Sequence, residues 1–306
     1  MAVTHPDGRA AARQHVNYLT RLNHMTSEMR QLFEPAKYWL PPIIVHFIRN
    51  LIYQSGYFGD YSSWEAAKLK SGSYANPEIL RRTRDALLKV KTGQAAYERD
   101  SVLFDTIHHS WSLLACLQRV ALEDDGYLSV LDFGGSLGSS YFQCRDFLPK
   151  LDKLEWSIVE QKDHVECGKR EFEDDILAFY YNVEECLKTR KPNVILLSSV
   201  LQYIEKPYDS LSSIFNYRFS NVIIDRSPFR RDKKDIITVQ KVSPKIYDAC
   251  YPSWIFSYSK FTAFFMKNYQ LLAEFDNPGA PTFLSRGRLV EFKGFMWKLC
   301  GSHGFL

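Results

Sequence analysis

From Ser129 onward, short apolar runs alternate with segments of helical periodicity, the rhythm of a mainly parallel sheet with helices packed on it. Four runs predict strands: Ser129–Phe133, Glu155–Val159, Val194–Leu197 and Asn221–Ile224. A weaker strand is predicted near Ile176–Tyr180. After Asp225 the pattern predicts a long loop, then a helix over about Ser259–Asn268. Two more strands follow at Tyr269–Phe275 and Arg288–Trp297, the second beyond a Pro/Gly turn.

The first 122 residues have a different texture. Residues 1–55 are a polar leader of helical character that ends beyond the Pro41-Pro42 break. Within it, Tyr38–Tyr53 (YWLPPIIVHFIRNLIY) is too short to span a bilayer and carries His46 and Arg49. It suits either a packing segment or an interfacial one, because Trp39, Phe47 and Tyr53 fit the headgroup boundary. The second role would give peripheral contact with the inner membrane. Residues 56–122 are expected to form a helical cap. Asn76-Pro77 opens one helix, Ile79, Leu80, Leu87, Leu88 and Val90 give it an apolar face, and Gly93 stops it. A further helix is expected over about Asp105 to Leu122. Residues 123–306 then hold the sheet.

Composition narrows the function. A chain that is 45% hydrophobic and 24% charged has material for an ordinary core, and a net charge of +4 is too mild for a dedicated nucleic-acid binder. The six cysteines form no C-x-x-C pair, so no metal site is expected. Met1–Arg30 is polar without an apolar core of the signal-peptide kind, which points to a cytoplasmic protein.

The sharpest local signal is VLDFGGSLGSS, Val130–Ser140. An apolar strand ends in Asp132 and enters a turn containing Gly134, Gly135, Ser136 and Gly138 before a helix. Glycines let a backbone turn sharply and approach a ligand without a Cβ in the way. A dinucleotide fold wants G-x-G-x-x-G, and counting from Gly134 this chain has Ser136 and Ser139 at the second and third positions. That match fails. The alternate-position pattern Asp132-x-Gly134-x-Ser136-x-Gly138 is instead that of class I methyltransferases, with Ser136 in place of the middle glycine. The second strand ends at Glu160, 26 positions after Gly134, where a carboxylate can accept both hydroxyls of a ribose.

Six runs taken together resemble one bacterial family: YERDSV (Tyr97–Val102), VLDFGGSLGSSYFQ (Val130–Gln143), SIVEQ (Ser157–Gln161), LLSSVLQYIEKP (Leu196–Pro207), IIDRSPF (Ile223–Phe229) and YPSWIFS (Tyr251–Ser257). It is the family of methyltransferases encoded beside glycosyltransferases in surface-polysaccharide and lipopolysaccharide gene clusters. The resemblance spans roughly Gly56 to Leu299. It implies an α/β, Rossmann-like, seven-strand class I methyltransferase sheet that uses S-adenosyl-L-methionine, and a small-molecule or glycan acceptor methylated at oxygen.

On this reading the cofactor residues are Asp132, Gly134, Gly135, Ser136, Gly138, Glu160 and Ser198. The acceptor meets the cofactor over the carboxyl ends of the strands, which selects Ser198, Ser199, Gln202 and Tyr203, then Asp225 and Arg226. Asp225 is the candidate general base, and Tyr203 and Arg226 are candidates to orient the acceptor. His108 and His109 are further base candidates, placed on a helix ahead of the fold. The basic loop Arg226–Lys234 is a candidate phosphate grip, Tyr251, Trp254 and Phe256 a candidate sugar platform, and Tyr97–Asp100 a candidate lid using Arg99 or Asp100. The rival reading is a non-catalytic scaffold in glycan assembly that binds the cofactor or a sugar nucleotide.

Overall fold

The computed structural model describes residues 55–301, apart from 73–76, 100, 108, 149–150, 243–248, 278–281 and 286. The leader and Tyr38–Tyr53 therefore lie outside the described residues, as do Asp100 and His108.

In chain order the described elements begin with β1 (Gly56–Tyr61), α1 (Trp64–Lys68), α2 (Pro77–Lys91), β2 (Tyr97–Arg99), β3 (Val102–Phe104) and α3 (Trp111–Glu123). The alternating region follows: β4 (Tyr127–Phe133), α4 (Ser139–Cys144), β5 (Lys153–Val159), α5 (Lys162–Glu171), β6 (Leu177–Tyr180), α6 (Val183–Thr189), β7 (Val194–Ser198) and α7 (Pro207–Asn216). Last come β8 (Asn221–Arg230), β9 (Ile236–Lys241), β10 (Cys250–Ser257), α8 (Tyr258–Phe265), β11 (Tyr269–Asp276), β12 (Phe283–Ser285) and β13 (Arg288–Leu299).

Strands β6, β5, β4, β7 and β8 lie side by side in that order, all parallel. β13 pairs antiparallel with β8 and then with β11, which completes seven strands. This is the Rossmann-like α/β sheet expected from the sequence. The strand order reverses at β4, and in such sheets the crevice beyond the strand ends at the reversal is where ligands bind.

Successive residues of β4 face opposite sides, so Val130 joins one core and Leu131 the other. The first core takes Leu87 of α2, Leu117 of α3, Tyr141 of α4 and Val165 of α5. The second takes Cys186 of α6, Leu211 of α7, and Phe261 and Phe265 of α8. Each such buried side chain contributes about 1.5–3 kcal/mol relative to exposure, so both faces hold the sheet firmly beneath the crevice.

Two expectations need correction. The segment 56–122 is not purely helical: β1 joins the main sheet beside β9, and β2 and β3 form a hairpin. The chain after Ile224 is not a long loop either. β8 runs on to Arg230, bending at Arg226, whose φ is +51°. It then feeds β9 and β10, which extend the sheet toward β1. Asp225 and Arg226 consequently lie within a strand rather than beyond its end.

Candidate functional site

The Gly-rich turn sits between β4 and α4, at the point where the strand order reverses. Gly134 (φ +72°), Ser136 (φ +54°) and Gly138 (φ +104°) all take the left-handed conformation. Ser136 thus adopts a backbone that favours glycine, at a cost of about 1–2 kcal/mol for an L-residue. Gly134 N–H donates to Val159 O at 2.9 Å, and Glu160 N–H donates to Tyr180 O at 3.2 Å, lacing together the ends of β4, β5 and β6.

Asp132 lies directly under this turn. A Cβ on Gly135 would come within 2.5 Å of the Asp132 carboxyl carbon, so the close approach requires glycine there. Trp156 Nε1–H donates to Asp132 Oδ2 at 3.1 Å, while buried Oδ1 has no hydrogen-bond partner. Burial pushes the Asp132 carboxyl up to about 7, against the Trp156 hydrogen bond and the Arg226 charge, with Glu160 and Asp225 pushing it further up. A buried acid with one orphaned oxygen under a glycine turn has the character of a site built for a ligand with N–H or cationic groups.

Glu160 follows β5 directly and is half-buried, with Oε2 accepting from Gln161 N–H at 2.6 Å. Its carboxylate stands beside the turn with further lone pairs to offer. The strand ends at the reversal thus carry a turn whose glycines pack closely on Val200 and Asp132, with the Glu160 carboxylate at the next strand end.

At the ends of β7 and within β8 a second polar group forms. Ser198 Oγ–H donates to Asp225 Oδ2 at 2.9 Å, and Asn277 Nδ2–H donates to Asp225 Oδ1 at 2.7 Å. Arg226 donates to Ser198 Oγ from Nε at 3.3 Å and from a terminal nitrogen at 3.2 Å, and its Nε lies 3.5 Å from Asp225 Oδ2. Asp225 is buried and Arg226 is partly exposed. The structure therefore joins Ser198, Asp225 and Arg226 in one polar group whose charges also reach Asp132, and it gives the Asp225 carboxylate three protein partners.

Other candidates are placed elsewhere. Tyr203 O–H donates to Gln240 Oε1 at 2.8 Å, and its ring meets Tyr251 edge-on at 5.2 Å, tying the β7–α7 segment to β9 and β10. Tyr251 and Phe256 are buried within β10, and Trp254 stacks on Trp64 while donating to Ile204 O, so this aromatic set is packing rather than a sugar platform. In Arg226–Lys234, Arg230 lies in β8 and pairs with Asp232, while Arg231, Lys233 and Lys234 are exposed. His109 precedes α3 instead of lying on it, packed against Trp111 and Phe147. Among the described residues no group of three or more His, Cys, Asp or Glu could hold a metal ion, and no helix is long and apolar enough to cross a membrane.

One participant was missed. Glu98, on β2, is buried against the turn and accepts from Ser139 Oγ–H at 2.6 Å. The alternation over three residues is too short to read as a strand, and the hairpin turns at Ser101 (φ +66°) without the glycine that would mark it.

No family model matches the chain, and no curated protein matches it. Among solved structures it is similar to the N-terminal domain of EvdMO1 determined in the presence of SAH and D-fucose, with 10% identity over 74% of this chain and 98% of that one and a TM-score of 0.42. It is also similar to the glycopeptide N-methyltransferase MtfA complexed with (S)-adenosyl-L-homocysteine, with 7% identity, 61% and 89% coverage and a TM-score of 0.41. A third is magnesium protoporphyrin IX methyltransferase (ChlM) from Synechocystis PCC 6803 with bound SAM, with 10% identity, 61% and 76% coverage and a TM-score of 0.37. The fold assignment rests on strand order and direction, not on these likenesses.

Proposed function

We propose that the protein is an S-adenosylmethionine-dependent methyltransferase acting on a small or glycan-linked acceptor, at oxygen. The observation that carries this reading is the turn itself: three left-handed residues over the buried, half-satisfied Asp132, with Glu160 at the next strand end. When bound, the cofactor supplies an electrophilic methyl group. What remains for the protein is to align the acceptor, exclude water and accept a proton.

Asp132, Gly134, Gly135, Ser136 and Gly138 hold the amino-acid end in this reading, and Glu160 holds the ribose. Ser198 Oγ stands at the end of β7, donating to Asp225 Oδ2 and accepting twice from Arg226, so an acceptor hydroxyl reaches it by taking the place of one Arg226 bond. An acceptor hydroxyl that donates to it has a proton path onward to Asp225 Oδ2. Arg226 orients Ser198 and stands 3.5 Å from Asp225 Oδ2, whose negative charge is neutralised when it takes the proton. Asp225 thus works through Ser198 instead of meeting the acceptor itself.

The rival reading, a non-catalytic protein that binds the cofactor or a sugar nucleotide, is favoured by one observation: the Asp225 carboxylate is buried with three protein partners. Turnover separates the two. Incubation with S-adenosylmethionine labelled in the methyl group, against a panel of sugars and short glycans, should release the demethylated cofactor in step with acceptor labelling. Tight cofactor binding with no acceptor-dependent release across the panel would favour the scaffold.

A further inference from the structure

β8 does not end where its pairing with β7 does. The last such pair is Asp225 on Ser198, and residues 226–230 run on between β13 and β10. Arg230 and the turn that follows it, residues 231–235, therefore stand on the carboxyl-end side of the sheet, the side on which the crevice opens. Five residues of strand put Arg230 at most about 17 Å from Asp225.

The turn is pinned from β10. Ser257 Oγ–H donates to Asp232 O, and Ser257 N–H donates to Asp235 Oδ1 at 2.7 Å. The Asp235 side chain is 4% exposed and also accepts from Lys260 Nζ at 2.5 Å and Tyr208 O–H at 3.3 Å, so its charge is spent inside the protein. Arg231, Lys233 and Lys234 are exposed, and none of them has an ion-pair partner among the described residues.

Two arginines converge beside this turn. Arg230 is paired with Val290 across the β8–β13 ladder, and Arg288, two residues before Val290, lies on the same face as its diagonal neighbour. One carboxylate serves both: Arg230 Nε donates to Asp232 Oδ2, and Arg288 Nε lies 3.7 Å from Asp232 Oδ1. The Arg230 side chain is only 10% exposed, yet its buried Nη1 has no hydrogen-bond partner among the described residues. A guanidinium has five N–H donors, and donors left unmet under cover are costly. Arg230, Arg231, Lys233, Lys234 and Arg288 against Asp232 leave the cluster at +4, which is the net charge of the whole chain. The remaining charges of the chain cancel, so the excess sits here.

We propose that this cluster is a phosphate-binding site, and that the acceptor carries a phosphate or diphosphate group remote from the methylated oxygen. The second half rests on the methyltransferase reading above. Arg230 and Arg288 present planar N–H pairs of the kind that phosphate oxygens accept, and Lys233 and Lys234 add charge. Asp232 keeps the two guanidiniums together and competes with the phosphate for them. A largely buried arginine with unmet donors suits a discrete group, whereas a membrane surface is met by exposed charge alone.

The test titrates inorganic pyrophosphate calorimetrically into the full chain at constant ionic strength, beside S-adenosylhomocysteine affinity and thermal unfolding of the same proteins. The wild type should bind pyrophosphate. Arg288→Ala, at a side chain that is 67% exposed, should bind it about tenfold more weakly, with unfolding and S-adenosylhomocysteine affinity unchanged. Arg230→Lys keeps the charge without the fork and should also weaken binding; if it fails to fold, Arg288→Ala still decides. Asp232→Asn should bind pyrophosphate more tightly, a gain that a purely structural cluster would not give. Equal pyrophosphate affinity in wild type and Arg288→Ala, or no binding by the wild type, would overturn the site and leave the cofactor reading intact. Flotation with phosphatidylglycerol vesicles that is lost on combining Lys233→Ala with Lys234→Ala, without pyrophosphate binding, would assign the charge to a membrane and overturn the site too. Pyrophosphate bound by a wild type that does not bind S-adenosylhomocysteine would overturn the methyltransferase reading and the acceptor assignment with it.

Discussion

Trp156 and Asp132 stand on adjacent parallel strands, and the indole N–H reaches across to Asp132 Oδ2 at 3.1 Å while Oδ1 has no hydrogen-bond partner. The acid is thus oriented but only half satisfied. Burial holds its carboxyl near 7, well above the ordinary value of 3.8. A folded state that keeps a proton the unfolded chain has lost is destabilised as pH rises between those two values. The Asp132 contribution should therefore fall from about pH 4 to about pH 7 and stay flat above.

Asp132→Asn removes that dependence while keeping the shape. Relative to the wild type, the variant should gain stability as pH rises through this window, by an amount on the order of a few kcal/mol at pH 8. Denaturant unfolding of both proteins from pH 4 to 8 measures the difference. Parallel curves would show that Asp132 ionises freely.

Ser136 occupies a backbone that favours glycine. Ser136→Gly should leave cofactor affinity unchanged and alter stability by less than about 1 kcal/mol, since relief of strain is offset by the freer unfolded chain. Ser136→Val, branched at Cβ, should lose more than about 1 kcal/mol and weaken binding. Calorimetry and unfolding of the pair check both.

A valine or alanine at Gly134 is expected to disturb the fold as well as the ligand, because its Cβ would lie 2.3 Å from Val200 Cγ2. Gly134→Ala should lower both unfolding temperature and cofactor affinity. Adding Val200→Ala should restore part of the stability, with the positive-φ strain still in place. A second change that restores nothing would place the damage elsewhere.

Asp225→Asn leaves Arg226 beside a neutral group and turns one acceptor into a donor facing Ser198 or Asn277. Breaking a buried pair this way should cost about 3–5 kcal/mol, reduced here because Arg226 is partly exposed. Ser198→Ala should cost far less stability yet slow acceptor-dependent turnover if the proton path runs through its hydroxyl. Unfolding and turnover of the two variants side by side distinguish an anchor from a direct base.

The strands of the central sheet were legible because strands buried on both faces read as nearly unbroken apolar runs. Asn221–Ile224 was found but cut short, since Arg226 bends β8 and the charges of RSPFRRDKK look like solvent. β10 carries Pro252 among aromatics and polar residues, so it lacks the alternation that marks a strand, and its burial comes from β8 and β9 on either side. The glycine turn was legible where backbone geometry forces a spacing, at Gly134 through Gly138, and so was the strand end before Glu160. It was hidden where contact is made only in three dimensions: Glu98 and Asn277 lie 41 and 52 positions from the residues they bind.

The central claim is that the turn and Glu160 hold S-adenosylmethionine, and the direct measurement is calorimetric affinity for wild type, Glu160→Asp and Glu160→Ala beside thermal unfolding. Two charge-assisted hydrogen bonds to ribose hydroxyls are each worth roughly 1.5–3 kcal/mol. Glu160→Ala should therefore bind about a hundredfold more weakly or worse, and Glu160→Asp should lose less. Unfolding should barely change in either, because the side chain is half-buried at a strand end with one local bond. Equal affinity in wild type and Glu160→Ala would contradict the account, because the ribose would then lie elsewhere.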